Sequence, residues 1–247
     1  MLKRIAHITD SHLGDPTALS RGINPDKNLE AALKHAIDIG IDELIFGGDI
    51  GYDERYQHFF KMLEKYKPGF KIVLGNHDNF QEVKKYYSRQ FQADGLYHSK
   101  EDEYYKYIWL NSSSESIGPQ QMAWLESEVN TSKRIVIFVH HPVLGFETGM
   151  DAVYPLKNRD EVFALLQQCR QNVTIFCGHY HMPDKRTNGK ITQYITPALS
   201  FQVKKNSTDI EIITPYFGYR LITLTENNIR TRLVTNYYDR FITGPEH

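Results

Sequence analysis

The chain has 247 residues, a length that a layered α/β fold fills as one unit, with 40% hydrophobic and 24% charged residues, ordinary usage for a globular core. A formal net charge of -1 and a pI near 6.8 exclude a global positive field for a nucleic-acid backbone or an anionic membrane, so any anionic substrate must be held locally. Two cysteines, Cys169 and Cys177, are too few for a disulfide framework and read as reduced core residues; with no apolar window of membrane-spanning length and no secretory leader, the expectation is one cytoplasmic domain over 1–247.

In chain order, Ile5 to Thr9 reads as the first strand. Leu29, Ala32, Leu33, Ala36 and Ile37 then fall at helical spacing, opened by Asn24-Pro25 and closed by Gly40. A strand at Glu43 to Gly47, a helix at Glu54 to Tyr66, a strand at Lys71 to Leu74 and a helix at Phe80 to Phe91 follow. Ser112-Ser113-Ser114 reads as a polar loop, Gln120 to Val129 as a helix and Arg134 to Val139 as a strand. A helix from Arg159 to Cys169, opened by Asn158 with Glu161 three residues on, precedes a strand at Val173 to Cys177. Beyond Lys190 the pattern turns β-rich, with runs at Ile191 to Ile195, Ile210 to Ile213, Tyr219 to Thr223 and Ile229 to Thr235. Alternating strands and helices predict a largely parallel sheet covered on both faces. The late strands complete a second sheet, so the predicted fold is a four-layer α/β/β/α sandwich of two mixed sheets flanked by helices.

Ligand-type residues repeat at one place relative to these strands. Asp10 and His12 follow the first, Asp49 the second, Asn76 the third, His140 the fourth, and His179 and His181 the fifth. Carboxyl ends of parallel strands share one edge, where ligands bind, so these residues converge. The i, i+2 spacing of Asp10 with His12 and of His179 with His181 points both side chains to one face if the chain stays extended. Gly47, Gly48, Gly75 and Gly178 beside them permit close backbone approach. The mixed oxygen and nitrogen set suits a pair of Mn, Fe, Zn or Co ions better than Ca or Mg. His7, His35, His58 and His98 lie outside the pattern and read as ordinary core or surface histidines.

The blocks Asp10-Ser11-His12, Gly48-Asp49, Gly75-Asn76-His77-Asp78, His140-His141-Pro142 and Gly178-His179-Tyr180-His181 together resemble the calcineurin-like metallophosphoesterases. Within them the chain looks like the class III cyclic nucleotide phosphodiesterases, from Ile8-Thr9-Asp10-Ser11-His12-Leu13 onward, through Gln120 to Leu125, Met150-Asp151 and Leu156-Lys157-Asn158, to Pro215 to Arg220. Leu74 departs from the proline many relatives carry before Gly75, at no ligand position.

The resemblance implies that one metal is held by Asp10, His12, Asp49 and His181 and the other by Asp49, Asn76, His140 and His179, with Asp49 as the bridge. Two such cations acidify a bridging water toward a pKa of ~7 and hold the non-bridging oxygens of a diester. His77 is left to hydrogen-bond the phosphate or protonate the leaving oxygen, with Asp78 to orient it and His141 behind the ligands. The expected substrate is a small phosphodiester, a 3',5'-cyclic nucleotide such as cAMP first. Glycerophosphodiesters, other diesters, phosphomonoesters and a non-catalytic binding module are alternatives, and no nucleic-acid partner is expected. Tyr216, Phe217, Tyr219, Tyr237, Tyr238 and Phe241 make either core or a contact in a homo-oligomer.

Overall fold

A computed structural model describes residues 2–66, 69–87 and 97–246. Strand β1 (Lys3–Ile8) leads through the short helix α1 (Pro16–Ser20) to α2 (Pro25–Asp38), where the Asn24 side chain accepts from the Lys27 N–H and Pro25 forgoes a donor the first turn leaves unpaired. Next come β2 (Glu43–Phe46), a 3-10 turn at Asp53–Arg55, α3 (Tyr56–Tyr66), β3 (Phe70–Ile72) and α4 (Phe80–Tyr86). The predicted continuation of that last helix to Phe91 lies outside the described residues. The middle of the chain forms β4 (His98–Glu101), β5 (Tyr105–Trp109), α5 (Pro119–Glu128), β6 (Arg134–Phe138), α6 (Gly149–Val153), α7 (Arg159–Gln167) and β7 (Val173–Cys177). The end supplies β8 (Asp184–Asn188), β9 (Ile191–Ile195), β10 (Gln202–Val203), β11 (Ile212–Ile213), β12 (Phe217–Leu224), β13 (Ile229–Tyr237) and β14 (Arg240–Glu246).

One six-stranded sheet has the order β14-β13-β12-β1-β2-β3 and the other β4-β5-β6-β7-β9-β8. In the first, β1, β2 and β3 are parallel while β12 to β14 run antiparallel; in the second, β5, β6, β7 and β9 are parallel between the antiparallel edges β4 and β8. Both sheets are mixed, as expected.

The period of two along each strand builds the layers. Leu44 and Phe46 of β2 face the cluster that holds Leu29 and Leu33 of α2 and Phe59 of α3, while Ile45 between them faces the other sheet. Ile135 and Ile137 of β6 likewise pack with Leu125 of α5 and Val162 of α7, while Val136 and Phe138 turn inward. Trp109, Phe138, Phe176 and Ile222 join in the layer between the sheets, giving α/β/β/α. Among the described residues, no helix is long and apolar enough to cross a membrane.

Among the described residues, five strands lack the apolar run that announces the others, one of them the two-residue β10. The edges β4 (His-Ser-Lys-Glu) and β8 (Asp-Lys-Arg-Thr-Asn) are polar, as edges that must not pair with other chains often are. In β5, Lys106 interrupts the aromatics, and β14 carries Gly244 and Pro245. Asn158 is no side-chain cap for α7: its amide pairs with both backbone groups of Ile117, at 2.9 Å each.

Candidate metal centre

Asp10 and His12 lie just beyond β1, Asp49 beyond β2, and Asn76 and His77 beyond β3; His140 follows β6, and His179 and His181 follow β7. The strands are not successive in the chain, because β4 and β5 intervene, and they belong to both sheets. The carboxyl ends of the two parallel sets meet at one place: His140 Nδ1 donates to the Gly47 carbonyl at 2.7 Å, and the His179 N–H donates to the Asp10 carboxylate at 3.1–3.2 Å.

The i, i+2 pairs do not converge through the extended backbone that their spacing predicts. Asp10, His12, Asp49, His179 and His181 have φ of 55, 45, 55, 69 and 51°, in the left-handed region, so the chain does not stay extended there. Such backbone costs on the order of 1–3 kcal/mol per residue and gathers where function needs a side chain aimed. The chain folds back at each of these residues and turns the side chains toward one another. Gly75 and Gly178 allow it, since a Cβ on the first would collide with the Asp49 carboxylate and on the second with Thr9 and Asp10.

Two groups result. Ligand atoms of Asp10, His12 and His181 all lie within 4.8 Å of one another, and so do those of Asp49, His140 and His179. Asp49 reaches both: its Oδ2 is 3.2 Å from His140 Nε2 and 3.6 Å from His12 Nε2. Backbone carbonyls set three of the rings. Gly47 accepts from His140 Nδ1 at 2.7 Å, Phe201 from His181 Nδ1 at 2.9 Å and Tyr154 from His179 Nε2 at 2.9 Å. A carbonyl only accepts, so each facing nitrogen holds a proton and, in the neutral ring, the opposite one is left with its lone pair, the arrangement that orients metal-binding imidazoles.

These residues fit divalent cations. His140 Nε2 and Asn76 Oδ1 are buried without a hydrogen-bond partner, and His12 Nε2 faces His181 Nε2 at 3.0 Å. Burial opposes ionisation of Asp10 and Asp49, but His181 beside the first and His140 beside the second hold both below the usual carboxylate range. Burial likewise opposes charge on His140, yet Asp49 and Asp10 outweigh it and raise its imidazole to about 9. Two buried acids thus call for positive charge at this spot. Burial pulls His12 and His179 down to about 4, which leaves them neutral and able to ligate.

His77 is exposed in the cleft, its ring centroid 5.3 Å from that of His12 and its N–H on Asp49 Oδ1 at 3.0 Å. Asp78 does something other than orient it. Its oxygens accept from the N–H groups of Asp49, Ile50 and Gly75 at 2.8–2.9 Å, so it ties the turn carrying Asp49 to the turn carrying Asn76. His141 lies against the His179 ring at 4.1 Å and pairs with Ser112 at 2.8 Å. Ser112, read from sequence as plain loop, is buried at the carboxyl end of β5. Such a position after a strand was the available signal.

Of the later segments singled out in the sequence, Met150 lines the cleft. Asp151 is buried, accepting from Phe146 N–H, Arg159 and Tyr180 OH; Lys157 pairs with Glu115 at 2.6 Å; Tyr219 is core. Arg220 is not at the cleft but buried between the sheets, donating to Ile195 O and Thr231 and stacking on Tyr194. The four histidines outside the pattern stay outside the site. His7 pairs with Thr196 between the sheets, His35 stacks on Phe241 and His58 pairs with Asp26.

His98 lies flat on Trp109, centroids 4.6 Å apart, and burial, with Lys71 nearby, lowers its pKa to about 4. An unfolded histidine takes its proton near 6.5 while the folded one resists until about 4, so folding loses stability as pH falls through that window. His98→Gln is expected to lose less Tm between pH 7 and pH 5 than the parent. Equal losses would contradict the assignment.

Fold and paired clusters define a dinuclear metallohydrolase scaffold. The chain belongs to the calcineurin-like phosphoesterase family, whose sequence model matches residues 3–183. It is 28% identical over 242 residues to a probable cyclic nucleotide phosphodiesterase of Fibrobacter succinogenes, covering 93% of each chain. It is 26% identical to a probable glycerophosphodiester phosphodiesterase GpdQ of Arcobacter nitrofigilis, over 81% of this chain and 79% of that one. A dimetal phosphatase from Danio rerio shares the fold, with a TM-score of 0.72 at 13% identity over 98% of both chains.

Proposed function

We propose that the protein is a metal-dependent phosphodiesterase whose leading substrate is a 3',5'-cyclic nucleotide, cAMP first. The observation that carries this is the pair of His/Asp clusters joined through Asp49, beside a cleft without lysine or arginine among its lining residues. Asp10, His12, Asp49 and His181 would hold one ion and Asp49, Asn76, His140 and His179 the other, each being Mn, Fe, Zn or Co. When bound, such ions supply Lewis acidity and an activated water. The chain's own part is to fix the rings through the carbonyls of Gly47, Tyr154 and Phe201, to hold the Asp49 turn through Asp78, and to present His77 to the leaving oxygen. The Fibrobacter relative supports the cyclic nucleotide; the Arcobacter relative supports a second reading, glycerophosphodiester hydrolysis. Two free, buried cysteines suit a reducing compartment, and we place the enzyme in the cytoplasm.

A dianionic monoester needs fixed cations that this cleft lacks, whereas a singly charged diester does not. The expected order of kcat/KM under one metal condition is therefore cAMP or bis-p-nitrophenyl phosphate above AMP. AMP as the best of the three would replace the diesterase with a phosphatase.

A further inference from the structure

The cleft onto the clusters, about 330 Å³, has two kinds of lining. The polar part is the site together with Asp15, Thr17 and Glu115. The apolar part is Met150, Tyr154, Phe201, Val203, Ile210 and Ile212. This wall is built from the α6 segment and the β10–β11 hairpin, which pairs antiparallel through Gln202 with Ile213 and Val203 with Ile212. The two pieces are fastened together where the Gly149 N–H donates to Ser207 O at 3.0 Å, and a Cβ on Gly149 would press into the Thr208 carbonyl. Arg159 and Tyr180 hold Asp151, and with it α6, from behind.

The wall starts at the site itself. Phe201 stacks on His12 with centroids 5.9 Å apart and touches the His181 ring at 4.7 Å, while the Tyr154 and Phe201 carbonyls orient His179 and His181. It ends in open apolar groups, Tyr154 at 47% exposure and Ile210 at 40%, at the lip of a concave surface. Large apolar groups left facing a polar reaction site mark a place where an apolar ligand group belongs.

We infer that this wall is the specificity surface, receiving the flat organic arm of the diester, which in a nucleotide is the base. The inference rests on the diesterase reading and adds which part of the substrate is chosen and by which residues. A diester phosphate held between the clusters has an ester arm within reach of Phe201, and the hairpin continues the contact outward along Ile212 and Ile210. No lysine or arginine lines the cleft to receive a second phosphate, and Glu115 at its edge is already paired with Lys157, so the substrate class is the singly charged diester with one planar, weakly polar arm.

Two substrates with one leaving group test this: thymidine 5'-(p-nitrophenyl phosphate) and methyl p-nitrophenyl phosphate, assayed with the Mn-loaded protein. The parent is expected to favour the thymidine ester in kcat/KM. In the double variant Ile210→Ala, Ile212→Ala that preference falls by about tenfold, chiefly through KM, as trimming apolar contacts from a pocket does. The same variant binds adenosine 3',5'-cyclic phosphorothioate more weakly by calorimetry. Ile242→Ala, on the exposed face of β14, keeps the parent's ratio. A parent that cleaves both esters without preference, or a preference unchanged in the double variant, overturns the wall assignment and leaves the diesterase standing. A parent that cleaves neither ester overturns both.

Discussion

Asp49→Ala is expected to abolish diester hydrolysis and to lower bound metal from two equivalents per chain to less than one. Asp49 is 1% exposed, and its Oδ2 lies 3.2 Å from His140 Nε2 and 3.6 Å from His12 Nε2, one in each cluster. Removing the carboxylate takes a ligand from both proposed ions at once. It also removes the partner that keeps His140 charged when no ion is present, and the acceptor of the His77 N–H. Residues that merely support ligands cost ~10–100-fold in metal affinity or activity when changed, so a shared ligand should exceed that range. Elemental analysis of the folded variant decides it. Two full equivalents retained would show that Asp49 is not the bridge.

His77→Ala is expected to lower kcat for alkyl diesters by a factor on the order of 10²–10⁴, the usual range for a positioned acid or base. Metal content should change little, because the His77 side chain belongs to neither cluster. The ring stands exposed in the cleft, edge-on to His12, where a leaving oxygen can reach it. p-Nitrophenolate leaves without a proton, so bis-p-nitrophenyl phosphate should suffer much less than cAMP. An equal loss for both would count against proton donation and leave His77 a phosphate-holding role.

Much of the site was legible because its logic is positional. A ligand-type residue directly after each apolar run predicts convergence at strand ends, and the structure gathers Asp10, His12, His181, Asp49, His140 and His179 in two groups with Asn76 in the same cleft. The alternation of strands with helices predicts sheets covered by helices, and the continuous apolar run of β2 fits burial on both faces: Leu44 and Phe46 face helices while Ile45 faces the second sheet. What sequence could not carry is chemistry that belongs to the backbone. The carbonyls of Gly47, Tyr154 and Phe201 orient three imidazoles, yet any residue type has a carbonyl. The left-handed turns at Asp10 and His12 were hidden as well, since neither is glycine and an extended pair predicts the same convergence. Asp78 reads from sequence as the group that orients His77 because it follows it directly, whereas its oxygens serve three backbone N–H groups that only the fold brings together.

Two cations held by these clusters should make the protein a diesterase, which is checked by stripping the protein with a chelator and titrating Mn back while following bis-p-nitrophenyl phosphate hydrolysis and bound metal together. The stripped protein is expected to be inactive, with activity returning and levelling off at two equivalents per chain. Full hydrolysis in the presence of chelator, or two equivalents bound with no hydrolysis of any diester, would contradict it.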